Sequence, residues 1–267
     1  MIPQTTAPPD ELKAALGGLP VPRLLYYASV GSTNDVAIEW AEEGAADWSL
    51  VVADEQTKGR GRFGRRWFTP PRSALAFSVV VHPTDAERSV MGRFAAWGAL
   101  GVASALEALG LKPRIKWPND VLLGGEKVSG VLAEAVWSGD VPTALVVGVG
   151  VNVLASAVPP RELTDFPAGS VEAHLGVKPA RWHLLRRILT AMAEWRARLP
   201  TDEFLRAWEA RLAYRGAQVQ LGEARGVLLG LSRDGGIVLR TPSGERLILH
   251  AVADAHLRPI HQFSQNP

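Results

Sequence analysis

The sequence predicts an α+β fold that ends in a small β-barrel, and two observations carry the prediction. Up to about residue 215, short apolar runs of strand length interchange with helix-like segments, and the run Ala74 to Val81 is nearly continuously apolar, as a strand buried on both faces must be. After Gly216 the texture changes: apolar runs at 218–221, 226–231, 237–241 and 247–251 are separated by Gly-Glu, Arg-Asp-Gly-Gly and Pro-Ser-Gly-Glu turns, the pattern of a barrel of roughly fifty residues. With 267 residues, 47% of them hydrophobic, the chain can bury one large core and still carry this second unit.

Taken in order, residues 11 to 29 hold a short helical segment and then a strand, Leu24-Leu25-Tyr26-Tyr27. Gly31-Ser32-Thr33-Asn34-Asp35 opens a helix that carries Val36, Ile38, Trp40 and Ala41 and stops at Gly44; hydroxyls at 32 and 33 can cap its first turn whatever else they do. Ser49 to Ala53 is a strand that runs into Asp54-Glu55-Gln56-Thr57 and a basic loop. Arg88 to Leu109 reads as one long buried helix, and Ser104 and Glu107 keep its most apolar part short of a membrane span. Ile115 to Leu123 reads as two strand pieces broken at Pro118, which removes a ladder donor, so Asn119 and Asp120 are expected to leave the pairing and project from a kink beside Lys116; an ordinary Asx turn uses the same letters. Gly124-Gly125 turns the chain into a strand over 126 to 134 with Lys127 at its start. In Leu145 to Val153, a period of two puts Val147, Val149, Val151 and Val153 on one face and Gly148, Gly150 and Asn152 on the other. That second face is bare backbone ending in an amide, suited to a flat ligand or to a closely packed helix. Proline-rich connections around a short helix fill 155 to 180. An amphipathic helix follows over Arg181 to Leu199, with Leu185, Ile188, Leu189, Met192, Trp195 and Leu199 on its stripe, then a shorter one with Phe204, Leu205, Trp208 and Leu212.

The functional signal lies in the loop after the second strand. From Lys58 through Arg72 there are six basic residues and no acid. Glycines at 59, 61 and 64 can take φ > 0 and turn amides toward an anion, while Arg60, Arg62, Arg65 and Arg66 supply guanidinium forks and Trp67 an aromatic lid. The letters also satisfy G-x-G-x-x-G, but Trp67-Phe68-Thr69-Pro70-Pro71 follows where a dinucleotide fingerprint needs a helix to begin, so that reading fails. The formal net charge is only +2, so the basic character is local to the loop. There are no cysteines, which excludes disulfides, thiol nucleophiles and thiolate zinc and suits a reducing cytoplasm; the six histidines show no metal-ligand spacing. Met1 to Asp10 has no apolar signal core.

Five stretches in this order, Gly-Ser-Thr-Asn, Gln-Thr-Lys-Gly-Arg-Gly-Arg-Phe-Gly-Arg-Arg-Trp, Lys-Trp-Pro-Asn-Asp, Glu-Lys-Val-Ser-Gly and Gly-Val-Gly-Val-Asn-Val, closely resemble those of the biotin protein ligases. The resemblance runs from about residue 24 to the C-terminal barrel. It implies an N-terminal extension over 1–23, a catalytic domain over 24–215 and an SH3-like domain over 216–267. The catalytic domain would hold a mixed, largely antiparallel sheet with helices, related to lipoate ligases and class II aminoacyl-tRNA synthetases. It also implies a reaction: biotin and ATP, with Mg2+, give biotinyl-5′-AMP and pyrophosphate, and the biotinyl group passes to a lysine of a biotin carboxyl carrier protein domain. The substrate carboxylate is itself the nucleophile, so the absence of a cysteine nucleophile is no obstacle.

Position by position, the resemblance implies that Ser32, Thr33, Asn34, Gln56, Arg60, Gly61, Arg62 and Lys127 hold biotin, the first of them reading its ureido ring. Arg62, Arg65, Trp67, Lys116, Asn119 and Asn152 would hold ATP or the adenylate, and Arg62, Lys116, Asp120 and Lys127 would act in the chemistry. Asp120 stands open between a magnesium ligand and a group that deprotonates the acceptor lysine; no metal site built by protein side chains alone is expected. About 23 residues precede the first predicted strand, where repressor members of the family carry a winged helix-turn-helix, so a monofunctional form without DNA binding is expected. No membrane partner is expected, and a homodimer is left open. The rivals are a lipoate or octanoate ligase, which shares reaction and fold, and a nucleic-acid-binding protein that uses the Arg loop.

Overall fold

The structure, a computed structural model, describes residues 2–251 and 256–260. A short helix, α1 (Asp10–Leu16), leads into β1 (Leu24–Tyr27), α2 (Thr33–Glu42), β2 (Leu50–Ala53) and β3 (Ala74–Val81). After α3 (Asp85–Arg88) and α4 (Phe94–Glu107) come four strands, β4 (Arg114–Lys116), β5 (Asp120–Leu123), β6 (Glu126–Ser138) and β7 (Val141–Asn152). These build a seven-stranded sheet in the order β1-β2-β3-β7-β6-β5-β4. Only β1 and β2 run parallel, joined through α2 as a parallel crossover requires; every other neighbouring pair is antiparallel, so the sheet is mixed and largely antiparallel as expected.

The alternation of β3 explains why it is apolar throughout. Leu75, Phe77, Val79 and Val81 join the core under α4 and α6 (Arg181–Arg196), and Val80 packs on the opposite side with Val36, Ala37 and Trp40 of α2. Both faces are covered, so no residue of β3 is solvated. Helix α4 is apolar all round because it lies between the sheet and α6, and its glycines let it approach closely. A Cβ at Gly98 would stand 2.8 Å from Val131, and one at Gly101 would collide with Met192. The α6 stripe is buried at Leu185, Ile188, Leu189 and Met192.

The single long helix expected over 88–109 is shorter: α3 ends at Arg88, and α4 begins only at Phe94 after a 3-10 turn over Met91–Arg93. Thr84 and Glu87 form a capping box that starts α3 as a separate element, and Val90, at φ −132°, breaks the helical path before α4. Arg93 holds the junction, donating to the carbonyls of Leu199, Thr201 and Arg233. Asp120 also departs from expectation. It does not project from a kink but opens β5, paired with Lys116 on one side and Gly130 on the other; the turn outside the ladder is Trp117, Pro118 and Asn119, with a cis Trp117-Pro118 bond.

Beyond α5 (Val171–Leu175), α6 and α7 (Asp202–Ala210), the strands β8 (Gln218–Leu221), β9 (Ala224–Leu231), β10 (Ile237–Arg240), β11 (Arg246–Leu249) and β12 (Arg258–Pro259) form an antiparallel sheet ordered β11-β10-β9-β8-β12. Among the described residues no pairing of β11 with β12 closes it into the expected barrel; residues 252–255 and 261–267 of the predicted C-terminal unit lie outside the described ones. Val219, Leu228, Ile237 and Leu239 share one hydrophobic cluster with the large sheet, and the Trp117 indole donates to the Gly235 carbonyl across the junction. Among the described residues no helix is long and apolar enough to cross a membrane.

Candidate active site

Strand register places the site. Directly opposed residues of an antiparallel sheet point to the same face, and one such row runs Ala53, Ala76, Gly150, Gly130, Asp120, Lys116 across six strands. The row is almost free of side chains until it ends in a carboxylate and an ammonium group. The next row on the same face runs Val51, Ser78, Gly148 and Leu132. The face opposite the α4 core is therefore a shallow bare patch with charges at one end. Helix α2 covers part of it, and the Arg-Gly loop lies over the rest.

At the charged end, Asp120 accepts from Lys116 at 3.2 Å and pairs with Lys127 at 2.6 Å, one lysine on each oxygen. Burial alone would raise its pKa, but the two ammonium groups outweigh it and the carboxyl lies below the ordinary range. Burial, only partly offset by Asp120, pushes the Lys116 ammonium down. The Lys116 ammonium also stands 4.7 Å over the Phe166 ring, and that of Lys127 stands 5.6 Å over Trp67. Asn119 is fixed by donating to the Val131 carbonyl at 2.6 Å and accepts from Arg62 at 3.3 Å. Burial lowers the Arg62 pKa, with Asp120 opposing.

At the α2 end, the Gln56 side-chain carbonyl accepts from the Thr33 amide at 2.8 Å and the Thr33 hydroxyl at 3.0 Å. The Ser78 hydroxyl is 2.8 Å from Thr33 Oγ1 and 2.6 Å from Asn34 Oδ1, while the Asn34 amide donates to Glu134 at 2.6 Å. Asn34 leans over Gly148, where a Cβ would collide with it. Ser32 is buried at the N-cap position, but its side chain makes no capping hydrogen bond, and the Thr33 hydroxyl donates to Gln56.

The loop folds back on itself as a flap. Arg60 and Arg66 form a bridge, the Gly61 amide donates to the Arg65 carbonyl at 2.7 Å, and the Trp67 amide donates to the Gly59 carbonyl at 2.8 Å. Of the three glycines, only Gly64 has positive φ, at 71°; Gly59 is needed because a Cβ would strike the Trp67 carbonyl, and Gly61 meets neither condition. Phe63 takes φ 59° beside Gly64. Ion pairs hold the flap at two places, Arg60 with Asp35 at 2.5 Å and Glu134 at 3.2 Å and Arg65 with Asp165 at 2.9 Å, and the hydrogen bond from Arg62 to Asn119 holds it at a third. Its Trp67 indole lies on the bare patch over Gly150 and Gly130.

Thr33, Asn34, Gln56 and Arg60 thus meet at one end, and Arg62, Trp67, Lys116, Asn119, Asp120 and Lys127 at the other. Asn152 stands apart from both groups, donating its amide to the Gly169 carbonyl at 3.0 Å; Arg65 is turned to Asp165. Four residues of the site escaped the sequence reading. Gly130 belongs to the patch through register, Ser78 and Glu134 organise Asn34, and His256 arrives from the C-terminal sheet. The chemistry of the donors does not fit a protein-held magnesium ion. Both oxygens of Asp120 are met by lysines, and among the described residues no three His, Cys, Asp or Glu side chains are grouped to hold a metal.

A model of the Biotin/lipoate A/B protein ligase family matches residues 26–152, which take in the end of β1, α2, the flap and strands β2 to β7. The chain is 36% identical over 237 residues to the biotin–acetyl-CoA-carboxylase ligase of Paracoccus denitrificans, covering 83% of this chain and 95% of that one. It is 32% identical over 256 residues to the Mycobacterium tuberculosis enzyme of the same name, covering 88% and 90%. Among solved structures, biotin protein ligase from Aquifex aeolicus in complex with biotin and ATP superposes with a TM-score of 0.76 at 31% identity, over 90% of this chain and 100% of that one.

Proposed function

The chain belongs to the biotin protein ligases, within the biotin/lipoate A/B protein ligase family, and from that premise we propose how its geometry performs the activity. It activates biotin with ATP and transfers the biotinyl group to a lysine of a biotin carboxyl carrier protein domain. The observation that supports this reading best is the row Ala76, Gly150, Gly130, bare but for one methyl group and ending at Asp120 and Lys116, with the guanidinium-rich flap across it.

In the first step a biotin carboxylate oxygen bonds to the α-phosphorus of ATP as the bond to the bridging oxygen of pyrophosphate breaks. Both reactants are anions, so approach and charge build-up are the barrier, and fixed cations lower it. We assign Arg62 and Lys127 to the carboxylate and the bridging phosphate, and Trp67, Lys116 and Asn119 to ATP and the adenylate, joined by Arg65 and Asn152, which here face Asp165 and Gly169. Ser32, Thr33, Asn34, Gln56, Arg60 and Gly61 form the biotin end. Asn152 keeps its carbonyl oxygen for this task, since its amide is engaged. Magnesium is proposed to arrive on the phosphates of ATP. In the second step the acceptor amine attacks the acyl carbon, AMP leaves, and an amide forms with loss of one proton. A carboxylate that two ammonium groups hold ionised is a weak base, so we read Asp120 as the group that positions Lys116 and Lys127.

We take 24–215 as the catalytic unit, 1–23 as an extension and 216–267 as an SH3-like unit, on the antiparallel order of β8 to β12. A cytoplasmic site of action accords with a chain without cysteine. Action without nucleic acid accords with Arg60, Arg62 and Arg65 being turned onto the protein's own acceptors rather than outward. Pyrophosphate release with biotin, lipoate or octanoate as the acid tests the reading: biotin is expected to support turnover, and activity on lipoate alone overturns it.

A further inference from the structure

His256 lies between β11 and β12 and reaches the active site from the C-terminal sheet. Its backbone is pinned, because Leu257 beside it is buried in the core and Arg258 and Pro259 pair with Gln220 and Val219. The imidazole meets Phe63 of the flap edge-on, with ring centroids 6.1 Å apart and planes at 81°. The groups that act on it come from three elements: Arg62 and Arg65 from the flap, Lys116 from β4 and Asp120 from β5. Its Nε2 is buried and has no hydrogen-bond partner among the described residues. A buried ring nitrogen left this way carries an uncompensated desolvation cost that a bound partner would remove.

Burial first, and then the cations, push the ring down to about 4, so at neutral pH it is uncharged and can carry its proton on Nε2 as a donor. A neutral donor among three cations suits a ligand with more negative charge than one carboxylate. We infer that His256 donates from Nε2 to a terminal phosphate oxygen of ATP, and to the pyrophosphate product, so that the C-terminal sheet completes the polyphosphate end of the site. This rests on the adenylation reading above. It gives the C-terminal unit a part in the first half-reaction, and Phe63 orients the ring that makes the contact.

The test is biotin-dependent exchange of labelled pyrophosphate into ATP by the full chain, for wild type, His256→Ala, His256→Gln and His256→Phe. Gln keeps an N–H donor and loses the ring; Phe keeps the ring edge for Phe63 and loses the donor. The expected result is a KM for ATP and for pyrophosphate raised about tenfold in the Ala and Phe variants, with KM for biotin unchanged and the Gln variant within about threefold of wild type. A normal Phe variant beside an impaired Gln variant overturns the proposal in favour of packing on Phe63. Loss spread equally over biotin and ATP, or no change in any variant, overturns it as well. A wild-type chain with no biotin-dependent exchange overturns the adenylation reading, and this contact with it.

Discussion

The Trp67 indole lies on Gly150, so close that a Cβ there would run into the ring. Gly150 pairs with Gly130, whose own Cβ would come within 3.3 Å of the same indole and 3.1 Å of Lys127 Nζ. The flap therefore closes onto the sheet only because two adjacent strands carry no side chain at this row.

Gly150→Ala is expected to lift the indole and with it the flap. Steady-state pyrophosphate release should show kcat/KM lowered by about 10- to 100-fold, because misplacing a closing element by an ångström costs that much. A variant with wild-type kinetics would separate the indole's position from function.

Removing Lys127 takes away one of two cations on Asp120. Lys127→Ala should reduce the rate of adenylate formation in single turnover by about 100-fold or more. Asp120→Asn should cost less than the sum when combined with it, since both changes dismantle one ion-pair cluster; strict additivity would contradict the coupling.

The pH dependence follows from the directions of the shifts. The Lys116 pKa is lowered from 10.5, mainly by burial, so its charge is lost as pH rises through that lower value and adenylation should fall on the alkaline side below pH 10.5. Lys116→Arg should move this limb upward, because a guanidinium stays charged. Asp120 is shifted the other way, below 3.8; the stability its ion pairs contribute is in place above the unfolded value of 3.8 and is lost only as pH falls through the folded one. An acid limb near pH 5 would have to come from another group.

Glu134 accepts from both Asn34 and Arg60 and so joins the α2 end of the site, proposed for biotin, to the flap. Glu134→Ala should raise KM for biotin about tenfold through the loss of a charged acceptor. The melting temperature should change little, since the Arg60 pair is half exposed and such pairs contribute about 0–1 kcal/mol. An unchanged KM with a large drop in melting temperature would make Glu134 structural.

How much of this was legible in the sequence depends on the range of the interaction. The alternation of Gly148, Gly150 and Asn152 against Val147, Val149 and Val151 is a property of one strand, and the structure keeps it. The continuous apolar run of β3 signalled burial on both faces for the same reason. The row that carries the site is different: Gly130 and Asp120 join Gly150 only through strand register, which depends on pairings across more than one turn. Asp120 was expected in a kink because Pro118 weakens the ladder, but the ladder resumes one residue after Asn119. Ser78 and Glu134 enter the site only through contacts with Asn34, 44 and 100 residues away in the chain. His256 carries no local signal at all, since its role comes from where β12 docks. The long helix failed at Val90, whose φ of −132° takes the chain off the helical path between α3 and α4.

The most direct measurement is a crystal structure of the chain with biotin and ATP bound. The account predicts the vitamin and the nucleotide side by side over Gly130, Gly148 and Gly150, with residues 58–67 folded across them and the scissile phosphate next to Lys127. A flap directed into solvent, with both ligands bound elsewhere, would contradict it.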